Sequence, residues 1–133
     1  MPKIEKLAGG LKGKTVAVLG LAFKPETDDM RDAPSVEIIK ALLEKGAKIS
    51  AYDPVAIHEA SKILPDVRYA EDEYAAVNDA DVLVFITEWN QFRALNMARV
   101  RDLMKSPRIA DLRNIYDPSD MKELGFEYVG VGR

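Results

Sequence analysis

The sequence has no cysteine among its 133 residues, which excludes disulfide bonds, thiolate zinc sites and a cysteine nucleophile supplied by this chain. It also lacks an uninterrupted apolar run near the roughly 18 residues that a membrane helix needs, and its start has no signal-peptide pattern. A net charge of -3 with mixed signs offers no concentrated basic face to nucleic acid. We therefore expect a cytoplasmic protein whose partners include neither a membrane nor nucleic acid.

Histidine is also scarce. His58 is the single one, and no candidate nucleophile stands near it in the sequence. We predict a surface position for it and no histidine-based relay. Acidic residues cluster at positions 28–32, where a hard cation could bind, but the spacing lacks the EF-hand ligand pattern. A polar loop with internal ion pairs is the simpler interpretation, so we expect no metal site.

What the sequence does contain is a regular alternation of short apolar runs with segments of helical spacing. The predicted strands are residues 15–20, 48–53, 67–69, 82–86, 108–111 and 126–129. The predicted helices are residues 34–45, 55–64, 71–78, 89–104 with a break near residues 95 and 96, and 118–125. Strands that alternate with helices pair in parallel through right-handed crossovers. We predict an α/β fold, a Rossmann-like doubly wound parallel sheet in one three-layer domain, with strand order 3-2-1-4-5-6.

The domain itself is expected to span residues 15–133. Residues 1–14, which include Gly9, Gly10 and Gly13, are interpreted as a lead-in or as the end of a preceding helix in a longer chain.

A ligand is expected beyond the carboxyl ends of strands 1 and 4, where the direction of winding reverses. The segments that follow strands 1, 4 and 5 are residues 20–25, 87–89 and 112–114. They bring two cations, Lys24 and Arg113, to one crevice with two aromatic residues, Phe23 and Trp89. Cations neutralise phosphate, and an aromatic face can cover a base or a sugar. This combination suits a nucleotide diphosphate.

Each of these residues also has a purely structural interpretation. Phe23 could be a core residue and Lys24 a solvated loop charge. Arg113 could form an ion pair with Asp111 or Asp117. The only tryptophan packs a helix onto the sheet more often than it stacks on a ligand.

The sequence does not predict that this crevice binds a dinucleotide by itself. The G-x-G-x-x-G fingerprint lets the backbone approach a pyrophosphate, but Gly20 is followed by residues without the other glycines. Asp53 ends strand 2, where such folds carry a ribose-binding acid, yet its spacing from Gly20 is longer than the usual ~20 residues. We interpret Asp53 mainly as a turn former before Pro54.

Several of these segments, taken in order, resemble the UDP-binding domain of UDP-glucose 6-dehydrogenases in the UDP-glucose/GDP-mannose dehydrogenase family. The matching segments are residues 20–31, 33–35, 51–54, 87–89 with Phe92, 111–114 and 130–133. The likeness covers residues 13–133. One departure is Leu112, where many relatives have glycine.

The resemblance implies a three-part enzyme that oxidises the C6 alcohol of UDP-glucose to a carboxylate, giving UDP-glucuronate, a polysaccharide precursor. An N-terminal domain would bind NAD, and a central region would supply the catalytic cysteine and the dimer contact. By analogy, Phe23 and Lys24 would contact the UDP-sugar, Arg113 the uridine diphosphate, and Arg31 the NAD across the cleft. Gly20 would shape the site, as would the aspartate that ends strand 2.

The resemblance assigns no catalytic residue to this chain, so we expect it to be inactive without the N-terminal and central domains. The full-length enzyme would be a homodimer and this chain a monomer. Two alternatives stay open: the same domain of a UDP-N-acetylhexosamine or GDP-mannose dehydrogenase, and a free-standing, non-catalytic nucleotide-binding module.

Overall fold

A computed structural model of the chain describes residues 2–22, 29–31 and 33–130, with side chains from residue 4 onward. Six strands form one parallel sheet in the order β3-β2-β1-β4-β5-β6. The strands are β1 (Thr15–Leu19), β2 (Lys48–Tyr52), β3 (Arg68–Tyr69), β4 (Val82–Phe85), β5 (Arg108–Asp111) and β6 (Glu127–Gly130). The predicted fold class and strand order are confirmed.

The helices of the described residues lie on both faces of this sheet. They are α1 (Pro2–Ala8), α2 (Pro34–Glu44), α3 (Ile57–Ile63), α4 (Glu73–Val77), α5 (Asn90–Arg93), α6 (Met97–Leu103) and α7 (Pro118–Glu123). In the ranges that the structure describes, no helix is long and apolar enough to cross a membrane.

Strands β1 and β4 form the buried centre of the sheet. Their side chains alternate between the two faces because successive strand residues point in opposite directions. Val16 and Val18 join a cluster that includes Ile4, Ile39 and other residues of α1, α2 and α3. Ala17 and Leu19 join a second cluster, whose members from α4 to α7 include Ala76, Phe92, Val100 and Met121. The result is the predicted three-layer arrangement, with a core on each face.

The first helix, α1, is built into the first of these cores. Ile4, Ala8 and Leu11 are almost fully buried there. The Arg108 guanidinium also donates to the carbonyl of Ala8, at 3.2 Å, which ties the end of α1 to β5. Whether residues 1–14 continue a preceding helix stays a prediction.

Two predicted helices begin later than their apolar spacing indicated, α3 after a turn stabilised by Asp53 and α4 at a capping aspartate. The amides of Val55 and Ala56 donate to the Asp53 carboxylate, so α3 begins only at Ile57. The Asp72 carboxylate accepts from Ala75 at 2.7 Å, which makes Asp72 the N-cap of α4. The predicted break between α5 and α6 is present.

Candidate functional site

The crevice predicted from the sequence lies at the carboxyl edge of the sheet, where the connections from β1 and β4 run to opposite faces. The described segments that line this edge are residues 20–22 after β1, 53–56 after β2, 86–89 after β4 and 112–116 after β5. Buried side chains at the ends of β2 and β5 hold three of these segments, 20–22, 53–56 and 112–116.

The loop after β1 approaches the loop after β4 very closely at Gly20. A Cβ atom at Gly20 would lie 2.5 Å from the Cβ of Thr87 and 2.6 Å from its backbone nitrogen. Gly20 also has φ of +94°, a conformation that strains residues with a side chain. Glycine is therefore required at this position for the two loops to meet.

Asp53 holds the same loop from the other side. Its carboxylate is 2% exposed and accepts four backbone N–H groups. One oxygen accepts from Leu21 at 2.8 Å and Ala22 at 3.3 Å, and the other accepts from Val55 and Ala56, both at 2.9 Å. The predicted turn-forming role is present. Asp53 also links the loop after β1 to the loop after β2, and this link, which we call the Asp53 clamp, was not predicted from the sequence.

The carbonyl groups of this loop are held as well. The Ser35 hydroxyl donates to the Leu21 carbonyl at 2.5 Å, and the Thr87 hydroxyl donates to the Ala22 carbonyl at 2.7 Å. Both hydroxyl-bearing residues are fully buried. The backbone is thus fixed up to the point where Phe23 and Lys24 begin, and those two residues lie outside the described part of the chain.

The loop after β5 carries Arg113 and is organised by Asp111, which is fully buried. One Asp111 oxygen accepts from the backbone N–H of Arg113 at 3.1 Å. The other accepts from the backbone N–H of Tyr116 at 3.1 Å and from the Tyr128 hydroxyl at 2.5 Å. Asn114 reverses the chain between them with φ of +52°, a left-handed conformation that asparagine tolerates.

Arg113 points its guanidinium at Glu88, from the neighbouring β4 loop. The Arg113 Nη2 atom lies 3.5 Å from the Glu88 Oε1 atom, with the two side chains 38% and 45% exposed. This pair differs from the sequence-based alternatives, because Asp111 binds the arginine only through its main chain and Asp117 caps α7. A half-exposed ion pair contributes about 0 to 1 kcal/mol to folding. The pair with Glu88 therefore holds the Arg113 guanidinium only weakly.

Trp89 packs within the core between the sheet and α4 to α7, as the structural interpretation predicted. Leu112, the departure from the family pattern noted in the sequence, packs against the opposite core cluster. Its backbone N–H donates to the carbonyl of Phe85 at 3.0 Å, which continues the β4–β5 pairing into the loop.

Arg31 stands on the surface with its side chain 88% exposed, and its guanidinium lies 3.0 Å from an oxygen of Asp29. The hydrogen bonds from Arg31 lower the pKa of Asp29 to about 2. This is the internal ion pairing predicted for positions 28–32, of which Asp28 and Asp32 lie outside the described residues. The single histidine, His58, is exposed. Over the described ranges, no three acidic or histidine side chains meet as metal ligands would.

Comparison with known proteins assigns this architecture. The sequence profile described as "UDP-glucose/GDP-mannose dehydrogenase family, UDP binding domain" matches residues 17–118. The chain belongs to this family. Its UDP-binding domain is similar to the UDP-glucose 6-dehydrogenase of Rhizobium meliloti, at 46% identity over 98% of this chain and 30% of that protein. It is also similar to the UDP-glucose 6-dehydrogenase TuaD of Bacillus subtilis, at 43% identity over 98% of this chain and 29% of that protein.

Solved structures of dehydrogenases share the fold of this UDP-binding domain. The UDP-glucose dehydrogenase of the archaeon Pyrobaculum islandicum superposes with a TM-score of 0.80 at 34% identity, over 98% of this chain and 28% of that one. An NDP-N-acetyl-D-galactosaminuronic acid dehydrogenase of Methanosarcina mazei gives a TM-score of 0.83 at 28% identity, over 99% and 27%. The chain therefore spans under a third of the length of the relatives it matches.

Sequence reasoning gave no loop-organising role to four residues of this edge, namely Ser35, Thr87, Asp111 and Tyr128. An aspartate at the carboxyl end of a buried apolar run was a usable signal for Asp111, since Asp53 shows a similar pattern. Thr87 was noted only as part of a matching segment. Nothing local marks Tyr128, because its partner lies on another strand.

Proposed function

We propose that this chain is the nucleotide-sugar-binding domain of an NAD-dependent UDP-glucose 6-dehydrogenase, which oxidises the sugar C6 alcohol to a carboxylate. The observation that carries the proposal is Arg113, presented at the carboxyl edge of a UDP-binding domain on a loop fixed by a buried carboxylate. The relatives of highest identity named above are UDP-glucose 6-dehydrogenases, which supports glucose as the sugar.

In this proposal, Arg113 exchanges Glu88 for the diphosphate of the ligand. A guanidinium offers a planar fork of donors that matches two phosphate oxygens, and a charge-assisted bond to phosphate is stronger than an exposed ion pair. Phe23 and Lys24 would contact the UDP-sugar. They follow a stretch of backbone that Asp53, Ser35 and Thr87 hold in place. Such support preorganises the residues that bind.

The described residues do not fit a dinucleotide pyrophosphate in the usual place, the first loop of the sheet. The amides of Leu21 and Ala22, which would have to donate to the phosphates, already donate to Asp53. We therefore assign most of the NAD site to other domains of the enzyme. Arg31 is the residue of this chain that we propose reaches NAD, which its high exposure permits.

We further propose that this chain is inactive alone and works with an NAD-binding domain and a central, cysteine-bearing domain. The relatives are more than three times as long as the region they share with it, and it contains no cysteine. In that enzyme, which we propose to be a cytoplasmic homodimer that makes a polysaccharide precursor, this domain binds the UDP-sugar. This chain alone is proposed to be a monomer.

The second candidate is the same domain of a dehydrogenase acting on an N-acetylated UDP-hexosamine. The close superposition with the M. mazei enzyme favours it, because the fold comparison alone does not separate the two. Sequence identity to the solved UDP-glucose enzyme is higher, at 34% against 28%, so we place UDP-glucose first.

Calorimetric titration of this chain with UDP, UDP-glucose, GDP and NAD tests the proposal. We expect the UDP ligands to bind preferentially and Arg113→Ala to weaken them about 10- to 100-fold, the range for a lost charge-assisted bond. We expect Lys24→Ala to weaken UDP-glucose as well. Arg68→Ala, an exposed arginine on the edge strand β3, is the matched control and should leave binding unchanged. Binding of NAD without UDP, or no binding of UDP, would contradict the proposal.

A further inference from the structure

We propose that Tyr128, on the edge strand β6, is a positioning residue that acts through Asp111 to hold Arg113 in its binding geometry. This inference rests on the proposed function, because it takes Arg113 as the residue that binds the nucleotide phosphates. It adds a residue from the edge strand of the sheet, outside the described segments that line the crevice.

Asp111 sets the backbone position of Arg113. The Asp111 carboxylate accepts the Arg113 N–H on one oxygen and the Tyr116 N–H on the other, so it closes the loop between them into one turn. Leu112 is held separately by the Phe85 carbonyl. Any rotation of the Asp111 carboxylate would therefore shift the stem from which the Arg113 side chain extends.

Tyr128 in turn fixes the Asp111 carboxylate. Its hydroxyl lies 2.5 Å from the Asp111 Oδ2 atom and 3.0 Å from the Tyr116 carbonyl. A hydroxyl has one proton, and the shorter contact, to the charged acceptor, is the stronger hydrogen bond. Because Asp111 is fully buried, it depends on such donors for the solvation it has lost.

The sheet explains why a tyrosine at this position reaches Asp111. Tyr128 lies directly opposite Ile109 in the β5–β6 register, and both side chains belong to the core on the α4 to α7 face. Asp111 is two residues further along β5, so it is the diagonal neighbour of Tyr128 on the same face. Diagonal neighbours are within reach of long aromatic side chains. The phenol spans that diagonal with its hydroxyl at the carboxyl edge.

Tyr69 provides a matched control on the opposite edge strand. Its hydroxyl donates to the Leu64 carbonyl at 2.7 Å, and like Tyr128 it is a half-buried tyrosine on an edge strand. Its partner belongs to the end of α3 and not to a loop with a proposed ligand residue. Removing the Tyr128 hydroxyl should cost more folding stability, because its partner is a buried carboxylate, but of the two variants only Tyr128→Phe should change ligand binding.

A double-mutant cycle tests the proposal with UDP as the titrant. Calorimetry is performed on the unmodified chain, on Tyr128→Phe, Arg113→Ala, the double variant and Tyr69→Phe, each well below its own unfolding temperature. We expect Tyr128→Phe to weaken UDP about 3- to 10-fold, the size of one lost hydrogen bond, and Tyr69→Phe to change it less than about 2-fold. In the Arg113→Ala background, Tyr128→Phe should have no further effect.

Two results would overturn the inference: UDP affinity unchanged by Tyr128→Phe, or a loss that persists in full when Arg113 is already alanine. The second would mean that Tyr128 acts on the fold at large. Unchanged affinity in Arg113→Ala alone would contradict the proposed function instead, so the two failures are distinguishable. If Tyr128→Phe does not fold, Asp111→Asn takes its place in the same cycle, with the same expected pattern.

Discussion

Two buried aspartates end strands of the same sheet, and they hold their loops in different ways. Asp53, after β2, accepts four backbone N–H groups, and no side chain of the described residues donates to it. Asp111, at the end of β5, accepts two backbone N–H groups and the hydroxyl of Tyr128. The first joins two loops, those after β1 and β2, whereas the second organises one loop and depends on the neighbouring strand.

This difference separates a fixed part of the crevice from an adjustable one. Main-chain donors are present whatever the surrounding side chains are, so the Asp53 clamp is insensitive to substitutions that leave the aspartate itself. The Asp111 turn loses a bond when one side chain on β6 changes. The proposed ligand residues on the two loops, Lys24 and Arg113, should therefore respond differently to variation elsewhere in the domain.

The largest effect should come from Asp53→Asn. The asparagine keeps the shape but turns an NH2 group toward backbone N–H groups, which leaves buried donors facing each other. We expect the free energy of unfolding to fall by about 3 kcal/mol or more. Urea unfolding measures it, with the exposed Asp66→Asn as a control expected to stay within about 0.5 kcal/mol. A loss of stability no greater than in the control would show that the hydrogen bonds of Asp53 do not stabilise the protein.

Asp111→Asn should lower stability by less, about 2 kcal/mol, because fewer buried donors lose their acceptor. The same urea experiment measures the ranking of the two aspartates. An equal or larger loss than in Asp53→Asn would contradict the contrast between the two loops.

Thr87→Val tests the loop after β1, which belongs to the fixed part of the crevice. The change is nearly isosteric and removes only the hydroxyl that donates to the Ala22 carbonyl at 2.7 Å. We expect a loss of about 1 to 2 kcal/mol in unfolding free energy, since the carbonyl stays buried. Ser61→Ala removes a hydroxyl that bonds the His58 carbonyl on the surface, and as the control it should cost less than about 0.5 kcal/mol.

The smallest effect is a difference in alkaline sensitivity. Burial, with the negative charge of Asp111 nearby, raises the pKa of Tyr116 above its ordinary value of 10.0. A group whose pKa is raised by folding stabilises the protein below its unfolded pKa, and this contribution is lost as pH rises further. Stability should therefore fall from about pH 10 upward, and Tyr116→Phe should make that fall shallower.

The urea midpoint of unfolding, measured from about pH 8 to about pH 11, checks this prediction. Burial also raises the pKa of Tyr69 to about 12, so a residual slope should remain in Tyr116→Phe. An unchanged slope in that variant would show that the loop after β5 does not carry the alkaline sensitivity.

The fold could be predicted because its signals are local. Each strand is a short apolar run and each long helix has apolar spacing, so alternation alone fixed the class and the strand order. The start of α3 was misplaced by two residues because Asp53 binds the amides of Val55 and Ala56. Apolar spacing contains no information about which amides a distant carboxylate will accept.

The site could be predicted only in part, for a related reason. The segments at the carboxyl edge followed from the strand order, and Arg113 stays a prediction as a ligand residue. Its ion-pair partner was sought among nearby aspartates, but the structure gives it Glu88, from the neighbouring strand. The contact between Tyr128 and Asp111 depends on the register of two strands, which no spacing along the chain encodes.

The most direct test of the central claim is to map the UDP contact by amide chemical shifts in the isotope-labelled chain. The account predicts that the largest changes on adding UDP fall on residues 112–116, 86–89 and 20–22, along the carboxyl edge of the sheet. Changes confined to the amino ends of the strands, or to the groove lined by Met30, Pro34, Val36 and Ile63, would contradict it.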